Sequence, residues 1–315
     1  ILDKFSRDSF NDIKKLNFKN KIFLKTILNY FVRLDLFEKK KYKYQYKLTR
    51  FGVFILKRIG TMYILNSYKK IFNNFSYNLN NTVLDQSWCE RKDNIIGSGL
   101  IHVNKFFKPS LKLINLKETN NILDIGCGDG TFLNVIKKAS DKINILGCDL
   151  SYQSVRQARS KLLFKNKKKN NIFQSNGNDI LRIKKKLFLK KIELDKNSVI
   201  SLWFLLHEIS NDSPKEIESY LKQIRKNFPK TPLLIGEISK LDDKIIKAHK
   251  SASIMPEFML FHELSGQGLL TEKKYMTIFK KSSYKIKKMI KTDNLKIKKV
   301  IGNSNFICLI EPISK

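Results

Sequence analysis

The sequence predicts an α/β fold: a parallel sheet with helices on both faces, closed by an antiparallel hairpin and preceded by a mainly helical part. Three observations carry that expectation. From Asn121 onward, apolar runs of strand length alternate with helix-length stretches, the pattern of a parallel sheet. The run Ser198 to Leu206, SVISLWFLL, is apolar enough for a central strand buried on both faces. Ile122 to Phe132, ILDIGCGDGTF, reads as buried strand, tight glycine turn and helix start near Thr131.

At 315 residues the chain has room for a large domain and a smaller one. The expected division is a helical domain over 1–85, a helical connector and lid over 86–120, and a ligand-binding domain over 121–315. No apolar run reaches bilayer-spanning length and no amino-terminal signal pattern is visible, so a cytoplasmic location is expected. The first residue is Ile1 rather than Met, which reads as a fragment or a processed product. Four cysteines, Cys89, Cys127, Cys148 and Cys308, are far apart, which suits a reducing compartment and gives no zinc cluster. The net charge of +34 invites a nucleic-acid partner, yet lysine outnumbers arginine and is spread over the whole chain instead of marking one stripe. Nucleic acid is therefore not the expected partner.

In order, Asn11 to Leu36 reads as amphipathic helices, with Ile13, Leu16, Ile22, Phe23, Ile27 and Phe31 among the apolar positions. LFEKKKYKYQYKLTRFGVFIL comes next as strand, lysine-rich turn, strand and helix. Asn73 to Asn81 is the expected linker, and the segment around Trp88, Gly97, Gly99, His102 and Phe106 is expected to lie across the ligand as a lid. His102 either faces that pocket or, as the favoured reading, is a solvent-exposed or capping histidine. Lys161 to Asn171 reads as a solvated helix end. Pro214 to Phe228 is a helix capped by Asp212 or Ser213, and Pro232 to Ile238 is the fifth strand. Tyr284 to Met289 and Phe306 to Ile310 form the closing hairpin.

The glycine turn gains meaning from the two strands that come after it. The first of them ends at Asp149, about 20 residues on, where an acid can bind both ribose hydroxyls. The second, IFQSNGNDI, ends near Asn178 and Asp179, suited to an adenine edge. In this order and spacing the chain resembles class I S-adenosylmethionine-dependent methyltransferases, with their Rossmann-like sheet. The resemblance implies that Asp124, Gly126, Cys127 and Gly128 surround the methionine part of the cofactor. It likewise implies Asp149 and Leu150 at the ribose, and Asn178 and Asp179 beside the adenine. A nicotinamide dehydrogenase is the rival, but its usual Gly-x-Gly-x-x-Gly spacing is not that of Gly126, Gly128 and Gly130. The amino-terminal helix, hairpin and helix resemble the winged-helix module in front of many small-molecule O-methyltransferases. That implies a homodimer through this domain, with DNA binding as the alternative use of a basic wing.

Acceptor chemistry belongs at the carboxyl ends of the strands. Strand four runs into His207 and Glu208, strand five into Glu237, and a later loop, MPEFMLFHELSGQGLL, holds His262. His207, Glu208 and His262 are the candidate catalytic residues. Two imidazoles and a carboxylate, His207, Glu237 and His262, would suit a facial metal site for zinc, iron or nickel that chelates a 2-oxo acid and acidifies its neighbouring C–H. Two other readings stand beside it: His207 as a metal-free general base for a hydroxyl, or histidines with structural roles only. LLHE, GE and PEFMLFHELSGQGLL resemble the bacterial 2-oxo-acid C-methyltransferases, of which the 2-ketoarginine enzymes are one branch. The expected function is thus metal-assisted C-methylation of a small 2-oxo acid, with metal-free O-methylation of a natural-product hydroxyl as the alternative. A DNA-binding regulator that senses the cofactor is the distant one. A nucleic-acid methyltransferase lacks its Asn-Pro-Pro-Tyr type loop here, where Phe204, Leu205, Leu206 and His207 stand.

Overall fold

The computed structural model describes residues 5, 7–41, 44–74, 76, 79–80, 89–162, 171–210, 213–241, 255–264, 267–292 and 305–313, with backbone alone at 255–257. The chain forms two compact units, Ile1–Leu65 and Asn66–Lys315. Of the Asn-rich stretch expected as the linker, 75, 77–78 and 81 lie outside the described residues, as does Trp88.

The first unit is a small winged-helix fold. α1 (Lys21–Arg33) starts where Asn20 accepts from the Phe23 N–H, and α2 (Arg50–Leu56) starts where Thr49 accepts from the Gly52 N–H. Between them the lysine-rich wing joins β2 (Phe37–Lys39) to β3 (Gln45–Leu48), and β1 (Asn11–Asp12) completes a three-stranded antiparallel sheet in the order β1-β3-β2. Leu24, Leu28, Phe37, Tyr46 and Leu48 form its core. The helices expected over Asn11 to Leu36 are corrected at the start. Asp12 accepts from the Lys14 N–H and caps a single 3-10 turn at Ile13–Lys15, so the α-helix begins only at Lys21. α3 (Ile59–Ser67) comes after α2.

The second unit opens with α4 (Lys69–Asn73) and α5 (Arg91–His102), which runs on through a π-helical turn at Val103–Phe107. The expected alternation then unfolds: β4 (Asn121–Ile125), α6 (Thr131–Ala139), β5 (Asn144–Asp149), α7 (Tyr152–Leu162), β6 (Asn171–Gln174), α8 (Ile180–Leu189) and β7 (Ser198–Trp203). After these come α9 (Leu206–Ser210), α10 (Pro214–Asn227), β8 (Leu233–Ile238), α11 (Met255–Leu264), α12 (Glu272–Lys281), β9 (Tyr284–Lys291) and β10 (Asn305–Pro312). The sheet order is β6-β5-β4-β7-β8-β10-β9. The first five strands in that order run parallel, and β10 is antiparallel to both β8 and β9, which makes the closing hairpin. Strand order reverses between β4 and β7, so the ligand crevice of such a sheet opens beyond Ile125 and Trp203.

Alternate residues of the buried strands feed two apolar layers. Leu123, Ile125, Leu202 and Phe306 join Tyr220, Ile224 and Tyr275 on one face. Ile122, Val199 and Trp203 join Phe107, Phe132 and Ile136 on the other. Two expectations need correction. Strand four stops at Trp203 because Phe204 turns the backbone into the left-handed region (φ 54), and a short helix starts at Leu206. The loop expected around His262 is a helix, α11, with Pro256 in its first turn, where a missing N–H costs nothing. Of the lysine- and asparagine-rich run, 163–170 lie outside the described residues. No helix among the described residues is long and apolar enough to cross a membrane.

Candidate active site

The cofactor half of the site grows from β4. Ile122 to Ile125 are buried because β4 is hydrogen-bonded on both sides, to β5 and β7. Asp124 sits in that run, 2% exposed, with the Ser201 hydroxyl donating to its Oδ1 at 2.7 Å. Burial pushes its carboxyl up to about 8, the Ser201 bond pulling weakly the other way. Beyond Ile125 the chain bends through Gly126, Gly128 and Gly130, all at positive φ (77, 52 and 75). The N–H groups of Gly126 and Cys127 both donate to the Cys148 carbonyl, at 2.8 and 2.9 Å, which clips the bend to β5. A side chain on Gly126 would meet only Leu205, at 3.7 Å, so a ligand can press against the backbone there.

Asp149 ends β5 and faces the same bend. Its Oδ2 accepts from the Gly128 N–H at 2.9 Å and its Oδ1 from the Ser151 N–H at 2.8 Å. Desolvation raises its pKa despite those two bonds. Each oxygen retains a second lone pair, enough for two ribose hydroxyls. The residues expected beside the adenine come after β6. Asp179 is the N-cap of α8, its Oδ1 accepting from the Arg182 N–H at 2.9 Å, and Asn178 is exposed beside it. Leu150 is 66% exposed at the strand end.

The acceptor half gathers at the ends of β7 and β8. Glu237 has no solvent exposure, and both its oxygens are engaged. Oε2 accepts from the backbone N–H groups of Leu206 (3.0 Å) and His207 (3.3 Å), the free amino end of α9. Oε1 accepts from His207 Nδ1 (2.7 Å) and the Ile238 N–H (2.9 Å). A carboxylate only accepts, so His207 carries its proton on Nδ1 and a lone pair on Nε2. Burial alone would lower the His207 pKa, but the Glu237 charge and hydrogen bond outweigh it, and the net shift is upward. His262, on α11, lies edge-on to His207 with ring centroids 5.0 Å apart. Its Nδ1 donates to the Phe258 carbonyl at 2.6 Å, and burial, with His207 nearby, pushes it down to about 3. Phe258 packs on His262, and Tyr68 stacks on Phe261 at 4.7 Å, so the cluster has aromatic walls.

The histidines and Glu237 are therefore brought together as expected, but not as metal ligands. Glu237 already receives four N–H groups, and a carboxylate so occupied has no lone pair to turn toward an ion. Among the described residues no set of three His, Cys, Asp or Glu side chains is arranged to hold a metal ion. The facial triad His207, Glu237 and His262 is corrected to a His–Glu pair with a neighbouring imidazole. Glu208, the other acid expected there, pairs with Arg91 at 2.6 Å. Sequence reasoning missed Arg91 and the stacking of His102 on Phe204, with ring centroids 3.9 Å apart. The spacing Arg91, Ile95, Gly99 on one helical face was the available signal.

Residues 123–228 match the family model of a methyltransferase domain, and residues 2–93 match the AprA winged helix domain. The chain is an S-adenosylmethionine-dependent methyltransferase. This methyltransferase matches no curated protein. Among solved structures it is similar to the mitomycin 7-O-methyltransferase MmcR, with 12% identity and a TM-score of 0.60 over 93% of this chain and 84% of that one. Human N-acetylserotonin methyltransferase, solved with S-adenosylmethionine, gives 13% identity and a TM-score of 0.60 over 94% and 84%. An O-methyltransferase family protein from Burkholderia thailandensis gives 12% and 0.61 over 92% and 83%. At such identities the likeness is one of fold, and it spans both units of the methyltransferase.

Proposed function

We propose that this methyltransferase methylates a hydroxyl oxygen of an uncharged or weakly charged small molecule without a metal ion, His207 acting as the general base. The observation that carries the reading is the 2.7 Å bond from His207 Nδ1 to Glu237 Oε1. It fixes the tautomer, so that Nε2 is the basic atom, and it stabilises the imidazolium formed when the acceptor's proton arrives. The bound cofactor supplies the electrophilic methyl group. Asp149 would hold its ribose, the glycine bend its methionine part, and Asp124, whose ionised form a nearby cation favours, would sit below the bend. The aromatic side chains of Tyr68, Phe258 and Phe261 suit a flat, apolar acceptor and exclude water from the proton transfer.

C-methylation of a 2-oxo acid finds less support. It needs an ion that the saturated Glu237 does not offer, and a cation for the substrate carboxylate. Arg91, the cation that bears on His207 among the described residues, is already neutralised by Glu208. The structural neighbours named as O-methyltransferases favour oxygen as the acceptor atom. The test is formation of S-adenosylhomocysteine from S-adenosylmethionine across a panel of phenols and of 2-oxo acids, with and without EDTA. Turnover with a phenol that EDTA leaves unchanged is expected. Turnover confined to 2-oxo acids and abolished by EDTA would reverse the assignment.

A further inference from the structure

One helix is fastened at both ends to the segment that bears His207. α5 carries Arg91, Ile95, Gly99 and His102 at spacings that align them along one stripe. Its middle lies on the glycine bend: a side chain on Gly128 would come within 3.2 Å of Ile95 Cγ2, and one on Gly99 within 3.2 Å of Thr131 Oγ1. At its first turn, Arg91 Nη1 donates to Glu208 Oε1 at 2.6 Å. At its last, the His102 ring stacks on Phe204 with 3.9 Å between centroids and 27° between planes. Phe204 and Glu208 flank His207 on the short stretch between β7 and the body of α9.

The two fastenings differ in kind. The His102 end is buried in an aromatic cluster with Phe106 and Phe107, and Ser98 Oγ lies 2.9 Å from its Nδ1. The Arg91 end is wet, with side chains 47% and 30% exposed, and an ion pair there is weak and screened by salt.

We propose that α5 is a strap over the cofactor and that the Arg91–Glu208 ion pair is its latch, which opens for cofactor exchange and, when closed, holds the His207 helix in register with the glycine bend. The inference rests on the cofactor reading above. Glu208 is then a positioning residue that acts through α5.

The test is the rate at which S-adenosylhomocysteine leaves the full chain, followed by stopped flow at low and high salt. Wild type, Glu208→Gln, Arg91→Gln and the double variant Arg91→Glu/Glu208→Arg are compared. Each single variant is expected to release it about three- to fivefold faster, the size of a half-exposed ion pair. Wild-type release quickens with salt, Glu208→Gln release does not, and the swapped pair returns toward the wild-type rate. Single variants that release at the wild-type rate, or a swapped pair no slower than they are, overturn the latch. A wild type that binds no S-adenosylhomocysteine overturns the cofactor reading instead.

Discussion

Glu237 receives four N–H groups and is shut away from solvent, and that arrangement governs the chemistry open to His207 beside it. The carboxylate raises the His207 pKa against the opposing pull of burial. The base is therefore protonated up to a pH above the ordinary histidine value of about 6.5. kcat/KM should rise with pH and level off above that value. In Glu237→Gln the raising charge is gone and burial remains, so the inflection should move to lower pH while the rate falls; an unmoved inflection would detach Glu237 from the base. The sign for stability is the reverse. Because the folded pKa is the raised one, the pair's contribution is complete below about pH 6.5 and is lost as pH climbs through the folded value. His102 and His262, both held at about 3 chiefly by burial, stay neutral throughout and add nothing to this profile. The sequence placed His207 and Glu237 at strand ends and His262 in a later loop. It could not show that Glu237 turns its oxygens inward, because that depends on α9 beginning at Leu206 and presenting its free N–H groups to them.

At the scale of elements, the strand–glycine–helix turn was readable because it is local. An apolar run, three alternating glycines and a helix start all lie within a dozen residues or so, and each glycine does sit at positive φ. Gly130 has the least freedom. A side chain there would stand 2.9 Å from the Ala158 Cβ, in a left-handed conformation. Gly130→Ala should destabilise the protein by about 1–3 kcal/mol, read as a lower urea midpoint at unchanged slope. A midpoint within error of wild type would mean that the bend can relax. Two elements were misread for physical reasons. Phe204 continues an apolar run, yet its stacking on His102 accompanies a positive φ that ends the strand. Met255–Leu264 carries glycine-rich residues after it that suggest a loop, while its own composition of Met, Leu, Phe and Glu favours a helix. The Arg91–Glu208 pair, 117 residues apart in the chain, left no local signature.

For the molecule as a whole, the strand alternation and the closing hairpin sufficed to define the sheet, since each strand's burial comes from its own apolar run. Partners and acceptor are less legible because surfaces are written in residues that pack against nothing within the chain. The first unit leaves Ile22 81% and Phe23 61% exposed on α1, the kind of surface a second copy would cover. If the methyltransferase is a homodimer through this unit, Ile22→Asp with Phe23→Asp should yield a monomer in sedimentation velocity. Dimers that persist would move the interface elsewhere. The net charge of +34 names no acceptor, because lysine is spread over the whole chain instead of lining one site. The most direct test of the account separates binding from transfer in His207→Ala. S-adenosylhomocysteine affinity should stay within a few-fold of wild type, while methyl transfer to a phenol that wild type accepts falls about 10²–10⁴-fold, the usual worth of a general base. Transfer that survives at the wild-type rate would contradict the account.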